Sequence, residues 1–353
     1  MRTNLKLAIA AVLLLAGSIW IYADSVSRGD RFERGKKLLP NLAIDEVSTI
    51  VLTEAGKTTT LKRSAEPAPT GVAKGESFTI AEVHDYPAKN EAVNRLLRDL
   101  LDIGLEKEVG NSADLAKELE IDPPTDHTTE VTLRNAAGED MVRLRLGKNF
   151  TSGDSRYVRR LDQENAPIYL TSAGVYLTTA TDQLLDKELL DIAPSKVVRA
   201  EGKDFVLQAV EQNTTPVLTA IPSGKKEKTS ETSKVRSALE RLSFDQVYLA
   251  DDPEVRELAF EQALRVSLDD NTAYTLSLAK QGEKSYLQIR GDHSIGQVMI
   301  TLTTPKEELE EKADQLTRAD QIAKFNQFHS SWVYEIPSTT AAKLELTKKD
   351  LVE

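Results

Sequence analysis

Four histidines, His84, His127, His293 and His329, are the chain's supply of side chains that titrate near neutrality, and no two of them stand three or four residues apart. No zinc-binding helix face can be built from such spacing, and each reads as a surface or turn histidine. The sequence has no cysteine, which removes thiolate ligands, thiol nucleophiles, disulfides and a lipidated cysteine together. There is no Gly-x-x-x-x-Gly-Lys-Ser/Thr loop or Gly-x-Gly-x-x-Gly turn to cradle phosphates, and no Gly-x-Ser-x-Gly elbow to present a nucleophile. The acid pairs Asp251-Asp252 and Asp269-Asp270 sit beside strand or helix ends, where neighbouring carboxylates cap turns instead of converging across a sugar. One cationic cluster stands out: Arg156, Arg159 and Arg160. On a strand Arg156 and Arg160 share a face with Arg159 opposite, so the cluster is a candidate contact for an anion, a lipid headgroup or a partner, or else a charged edge strand. No catalytic residue, metal ligand or cofactor contact is expected.

The elements that would carry these residues follow from periodicity. Val47 to Leu52 and Lys57 to Lys62 flank the turn Glu54-Ala55-Gly56, a hairpin pattern. After the Pro/Gly-containing stretch Ala65 to Gly75, a strand is expected over Phe78 to Val83. Val93, Leu96, Leu97, Leu100 and Leu101 form an apolar stripe at helical spacing, with Arg95, Arg98, Asp99 and Asp102 elsewhere, and Gly104 follows. Strands are expected at Glu130 to Arg134, Met141 to Leu146, Tyr157 to Leu161 and Pro167 to Leu170. The order then recurs. Leu189-Leu190 and Val197 to Val210 repeat the opening hairpin of Leu38-Leu39 and Val47 to Lys62; a helix is expected over Val235 to Leu242, and strands follow to Ser331–Ile336. The period is about 145 residues, far longer than a solenoid repeat. The expected architecture is therefore α+β: two tandem copies of a mainly antiparallel sheet domain with one principal helix each, residues 37–184 and 185–353. The second copy carries a helical insertion at about 292–330, opened by the capping box Thr304-Pro305-Lys306-Glu307.

The chain begins with an uncharged apolar run, Leu7 to Ala23, preceded by Arg2 and Lys6 and closed by Asp24. Its seventeen residues span roughly 25 Å as a helix, enough for a short bilayer crossing. Leu7, Leu13, Leu14 and Leu15 would face hydrocarbon, and Trp20 and Tyr22 suit the interfacial belt. Residues 1–24 are thus expected to be a transmembrane anchor joined to the body by a charged linker, 25–36. Arg28, Arg31, Arg34, Lys36 and Lys37 outnumber the cations before the run, which opposes export of the body. The signal-like layout of a short basic tail and an apolar core favours it. The net charge of −11 lacks the basic stripe that a nucleic acid requires.

Several segments together carry a family resemblance: Leu38 to Leu42, then Asp45-Glu46-Val47-Ser48-Thr49-Ile50, Asp85-Tyr86-Pro87-Ala88 ahead of Val93-Asn94-Arg95-Leu96-Leu97, and Leu119-Glu120-Ile121-Asp122-Pro123. With the N-terminal anchor, they make the chain similar to the domain-of-unknown-function 4340 family. The resemblance implies a bacterial inner-membrane protein with a single span and a periplasmic body. It further implies association with ABC transporter subunits of the gliding-motility type, and it transfers no catalytic residue. The function expected is a non-catalytic accessory or scaffold subunit of an ABC-type envelope transporter complex. The alternative is an envelope hydrolase, or a carbohydrate- or lipid-binding protein, with a cleft between the two repeats.

Overall fold

The fold was obtained as a computed structural model, which describes residue 18 and residues 35–64, 77–211, 214–294 and 306–353. The anchor residues Leu7, Leu13, Leu14, Leu15, Trp20 and Tyr22, most of the linker, the stretch Ala65 to Gly75 and the Thr304-Pro305 start of the capping box lie outside the described residues. No helix among the described residues is long and apolar enough to cross a membrane. The chain divides into two compact units that meet in sequence between Leu185 and Asp186.

In the first unit a 3-10 turn, Ile44–Glu46, leads into β1 (Thr49–Glu54), β2 (Lys57–Ser64), β3 (Ser77–Ile80) and β4 (Tyr86–Pro87). Helix α1 (Asn90–Asp102), β5 (Leu105–Gly110) and α2 (Ala113–Glu118) follow, then β6 (Thr129–Arg134), β7 (Asp140–Asn149), β8 (Ser155–Arg160), β9 (Ile168–Gly174) and the short α3 (Thr181–Leu184). The strands form one sheet in the order β4-β3-β2-β1-β6-β7-β8-β9-β5. Period-two alternation sends Ile50, Leu52, Leu61, Leu133 and Leu144 to one face, all with no exposed surface. The stripe read from the sequence makes α1 amphipathic: Val93, Leu96, Leu97 and Leu100 are buried, each contributing about 1.5–3 kcal/mol of burial. On the other face a smaller cluster packs α2 and its following turn, through Ala116, Leu119 and Ile121, against Tyr157, Ile168 and Leu170.

The second unit opens with β10 (Glu188–Leu190) and a 3-10 turn, Pro194–Lys196. It continues through β11 (Val197–Gly202), β12 (Val206–Gln208), β13 (Val217–Leu218), α4 (Thr229–Arg236), β14 (Leu242–Ser243) and β15 (Gln246–Leu249). It ends with β16 (Glu261–Leu268), β17 (Thr272–Gln281), β18 (Lys284–His293), α5 (Lys306–His329), β19 (Trp332–Ile336) and α6 (Ser338–Leu344). The main sheet runs β13-β12-β11-β16-β17-β18-β19-β15, and β10 pairs with β14 apart from it. The fold is α+β, with antiparallel pairing throughout the described strands.

Three expectations are corrected. The helix placed at Val235 to Leu242 instead spans Thr229–Arg236. Val235, Leu239 and Leu242 are buried as the stripe implied, but the chain leaves the helix at Ser237 and Arg241 adopts a φ of 48°. The strand expected to reach Val83 ends at Ile80, and a 3-10 turn covers Ala81–Val83. Strand β5 and helix α2 were not anticipated, because Glu106-Lys107-Glu108 carries no alternation. The pairing of β5 with β9 shifts register twice, which breaks the period-two pattern.

Candidate functional site

Helix α1 buries its apolar stripe and turns Glu91, Asn94, Arg95 and Arg98 outward. These positions recur at helical i, i+3, i+4 and i+7 spacing and so form one face. Beside that face stands the 3-10 turn carrying Ile44, and the two elements enclose an open hollow of about 510 Å³ lined by Ile44, Glu91, Asn94, Arg95, Leu97 and Arg98. The turn is fixed from behind. The Arg63 guanidinium donates from Nε to the Val47 carbonyl at 2.7 Å and from Nη2 to the Ile44 carbonyl at 3.0 Å. It also lies over the Phe78 ring, 5.1 Å from the centroid. Leu38 and Leu39, in the first segment of the family resemblance, are 5% and 3% exposed.

The chain enters this unit alongside the far end of α1. Gly35 N–H donates to the Leu105 carbonyl at 2.8 Å, Leu105 N–H to the Lys36 carbonyl at 2.9 Å, and Leu38 N–H to the Ile103 carbonyl at 2.9 Å. Lys37 Nζ reaches both the carboxylate (2.9 Å) and the carbonyl (3.1 Å) of Asp102, placing a cation at the negative end of the helix. Arg95 and Arg98 are exposed, and among the described residues neither guanidinium is held by an ion pair or hydrogen bond.

The three arginines of the candidate cluster lie on β8, with Arg159 opposite Arg160 as the sequence implied. Arg159 lies across from Arg145 and Arg160 across from Leu144, so consecutive residues address opposite faces. Arg156 is consumed internally: its guanidinium donates to the carbonyls of His127 (2.9 Å), Leu146 (3.3 Å) and Gly147 (2.9 and 3.1 Å), and to Thr129 Oγ1 at 3.3 Å. Burial lowers its pKa, with Glu54 opposing the shift. Arg160 grips Asp162 through two hydrogen bonds, of 3.2 and 2.5 Å. That grip helps hold the Asp162 carboxyl below its usual range although burial, the largest effect on it, pushes the other way. Of the three, Arg159 alone has no side-chain partner among the described residues.

One member of each acid pair caps a turn. Asp252 Oδ1 accepts from Glu254 N–H at 2.8 Å, and Asp270 accepts from Thr272 N–H at 3.0 Å and pairs with Arg318 at 2.9 Å. The histidines depart from expectation in two cases. His84 and His127 are exposed, but His329 is 2% exposed at the end of α5. Its Nδ1 shares a 2.6 Å hydrogen bond with the Tyr334 hydroxyl, its Nε2 is buried without a partner, and burial lowers its pKa to about 3. His293 ends β18 with Nδ1 3.2 Å from Thr272 Oγ1. In the same unit burial, then the hydrogen bond to Glu335, raises the Tyr248 phenol to about 12, and Lys284 holds that carboxylate at 2.8 Å.

The hollow itself was missed in the sequence, where Arg95 and Arg98 read only as the polar side of an amphipathic helix. A signal existed in the i, i+3, i+4, i+7 run of Glu91, Asn94, Arg95 and Arg98. What sequence could not supply was the opposing wall, which Arg63 brings from β2. No curated protein and no solved structure matches the chain. The sequence profile of the family described as Domain of unknown function (DUF4340) matches residues 79–263, from β3 through α1 and into β16. The matched segment covers more than half of the 353 residues and includes every lining residue of the hollow except Ile44, and the chain belongs to this family.

Proposed function

We propose that the chain is a non-catalytic, membrane-anchored scaffold or accessory subunit of an ABC-type envelope transporter complex, with its body on the periplasmic side of the bacterial inner membrane. The observation that carries this reading is the strand order of the two main sheets. Raising every strand index of β3-β2-β1-β6-β7-β8-β9-β5 by ten gives β13-β12-β11-β16-β17-β18-β19-β15. The correspondence extends to the preceding 3-10 turns, Ile44–Glu46 and Pro194–Lys196, and to α1 and α4 between the third and fifth strands of each set. In both sheets the fifth strand crosses to the edge beside the ninth. Eight strands sharing one order with the same crossover support tandem copies of one domain, with β4, β10, β14 and α5 as local additions. Duplicated sheets behind an apolar segment suit a protein that spaces and presents surfaces to partners. The transporter as partner, and the side of the membrane, rest on the family resemblance and on the signal-like Leu7 to Ala23 run.

Purification of the full chain from its own membrane in mild detergent is expected to recover transporter subunits. A monodisperse monomer with nothing bound would overturn the proposal. A phosphatase fused after Lys37 is expected to be active; an inactive fusion would place the body in the cytoplasm and remove the transport reading.

A further inference from the structure

The hollow on α1 combines features that the scaffold reading leaves unused. Arg95 and Arg98 are one turn apart or less along the helix, about 4.5 Å of axial rise, so both guanidinia can reach one anionic group. Each offers planar pairs of donors suited to phosphate oxygens, and neither is neutralised by a described carboxylate. Many other described arginines are spent: Arg63, Arg145, Arg156 and Arg236 each donate to backbone carbonyls, and Arg134, Arg160 and Arg265 pair with acids. Glu91 lines the other end of the same face, about 6 Å of rise before Arg95, and it too has no hydrogen-bond or ion-pair partner among the described residues. Asn94 adds a donor and an acceptor, while Leu97 and Ile44 supply an apolar margin. A bare phosphate would satisfy the arginines and be repelled by Glu91. A phosphate with an amine two carbons away satisfies both ends.

We propose that this hollow binds a phosphoethanolamine-type group, with the phosphodiester against Arg95 and Arg98 and the ammonium against Glu91. The group has two sources, the headgroup of a phospholipid and a soluble phosphoamine. The lipid source rests on the anchored reading above; the site itself does not. Chain length permits it, since the hydrogen bonds of Gly35, Lys36 and Leu38 bring the start of the body to the C-terminal end of α1. The twelve residues 25–36 reach at most about 40 Å from the apolar run.

The site is tested by titrating the purified full chain with glycerophosphoethanolamine and with glycerol 3-phosphate, observed by calorimetry. Saturable binding of the first is expected, weakened at least tenfold by Arg95→Ala with Arg98→Ala. Glu91→Gln is expected to erase the preference over glycerol 3-phosphate while leaving binding of the latter intact or stronger. All three residues are exposed, so an unchanged melting temperature checks that the variants fold. No binding, or binding indifferent to the arginine pair, overturns the site; an unchanged preference in Glu91→Gln overturns the placement of the amine. The source is read separately, by photocrosslinking a phosphatidylethanolamine probe to the full chain in nanodiscs and locating the adduct. An adduct within residues 90–102 that is lost in the arginine variant assigns the lipid. Binding of the soluble ligand without that adduct assigns the soluble phosphoamine. The soluble titration does not depend on anchor, orientation or partner, so it can succeed while the transporter recovery fails, or the reverse.

Discussion

At the scale of single residues, the described arginines divide into those whose guanidinium holds the fold and those whose guanidinium has no partner among the described residues. Arg156 and Arg159 stand three positions apart on β8 and illustrate both. Removing the Arg156 side chain takes a donor from the part-buried carbonyls of Leu146 and Gly147 and from the exposed carbonyl of His127, which water can serve; an acceptor left unsatisfied where water cannot reach it costs about 1–3 kcal/mol. Arg156→Ala is therefore expected to lower unfolding stability by roughly 2–4 kcal/mol in urea titration, whereas Arg159→Ala stays within about 0.5 kcal/mol. Equal effects would mean that the carbonyl cradle is not a structural unit. His329 makes a second prediction, with a definite sign. Its pKa falls to about 3 in the folded chain, among Phe325, Phe328 and Tyr334, and returns to the ordinary value of about 6.5 on unfolding. Below 6.5 the unfolded state binds a proton that the folded state refuses, so stability is lost as pH falls from about 6.5 towards 3. The slope from this one group approaches 1.4 kcal/mol per pH unit at its steepest, about one proton's worth. His329→Gln should flatten that portion of the stability–pH curve, and a curve with an unchanged slope would contradict the assignment. Sequence gave no hint of this burial, since an isolated histidine after a polar helix carries the same pattern in solvent or in a core.

At the scale of elements, what could be read from the sequence depended on whether packing preserved its periodicity. The stripe Val93, Leu96, Leu97 and Leu100 is helix α1 because one side of it faces the core for about two turns. The α4 stripe was also buried, yet only its first part is helical, because apolar residues in a turn can reach the same core as those on a helix face. Strand β5 was illegible since its register slips twice against β9 and half of its residues are charged. Helix α2 is short, six residues, and its place depends on a contact no local pattern announces: the turn after it rests on Gly147 of β7. A Cβ on Gly147 would come within 2.2 Å of the Leu119 carbonyl oxygen and 2.9 Å of Ile121 Cδ1. Lys148 N–H donates to that same Leu119 carbonyl at 3.1 Å. Gly147→Ala must push the turn off the sheet, at a cost of about 1–3 kcal/mol. Hydrogen exchange should show the Lys148 amide losing protection while amides of β1 and β2 keep theirs. Retained protection at Lys148 would mean that the turn does not sit against the strand as described.

At the scale of the whole molecule, the division into two compact units has a consequence that neither sheet alone has. Long-range pairing in each unit closes within that unit: β1 with β6 and β5 with β9 in the first, β11 with β16 and β15 with β19 in the second. Each also has a core of its own, led by Ile50, Leu52, Leu96 and Leu133 in one and by Leu207, Val266, Leu276 and Tyr334 in the other. At roughly 150 residues apiece, both lie within the usual size of an independently folding domain. The repeat proposed above has as its sequence signal the recurrence of Leu-Leu segments and hairpins. Its strength lies in the crossover of β5 and β15, which sequence could not reveal because both pair with strands far along the chain. Expressed separately, residues 37–185 and 186–353 are expected each to give a cooperative unfolding transition with exchange-protected strands in the order found for the full chain. Gly147→Ala should then shift the transition of the first fragment by the same amount as it destabilises the first unit of the full chain. A fragment that shows no cooperative transition even with its partner fragment supplied would mean that the sheets are halves of one folding unit, and the reading of two presented surfaces on one anchor would fall with it.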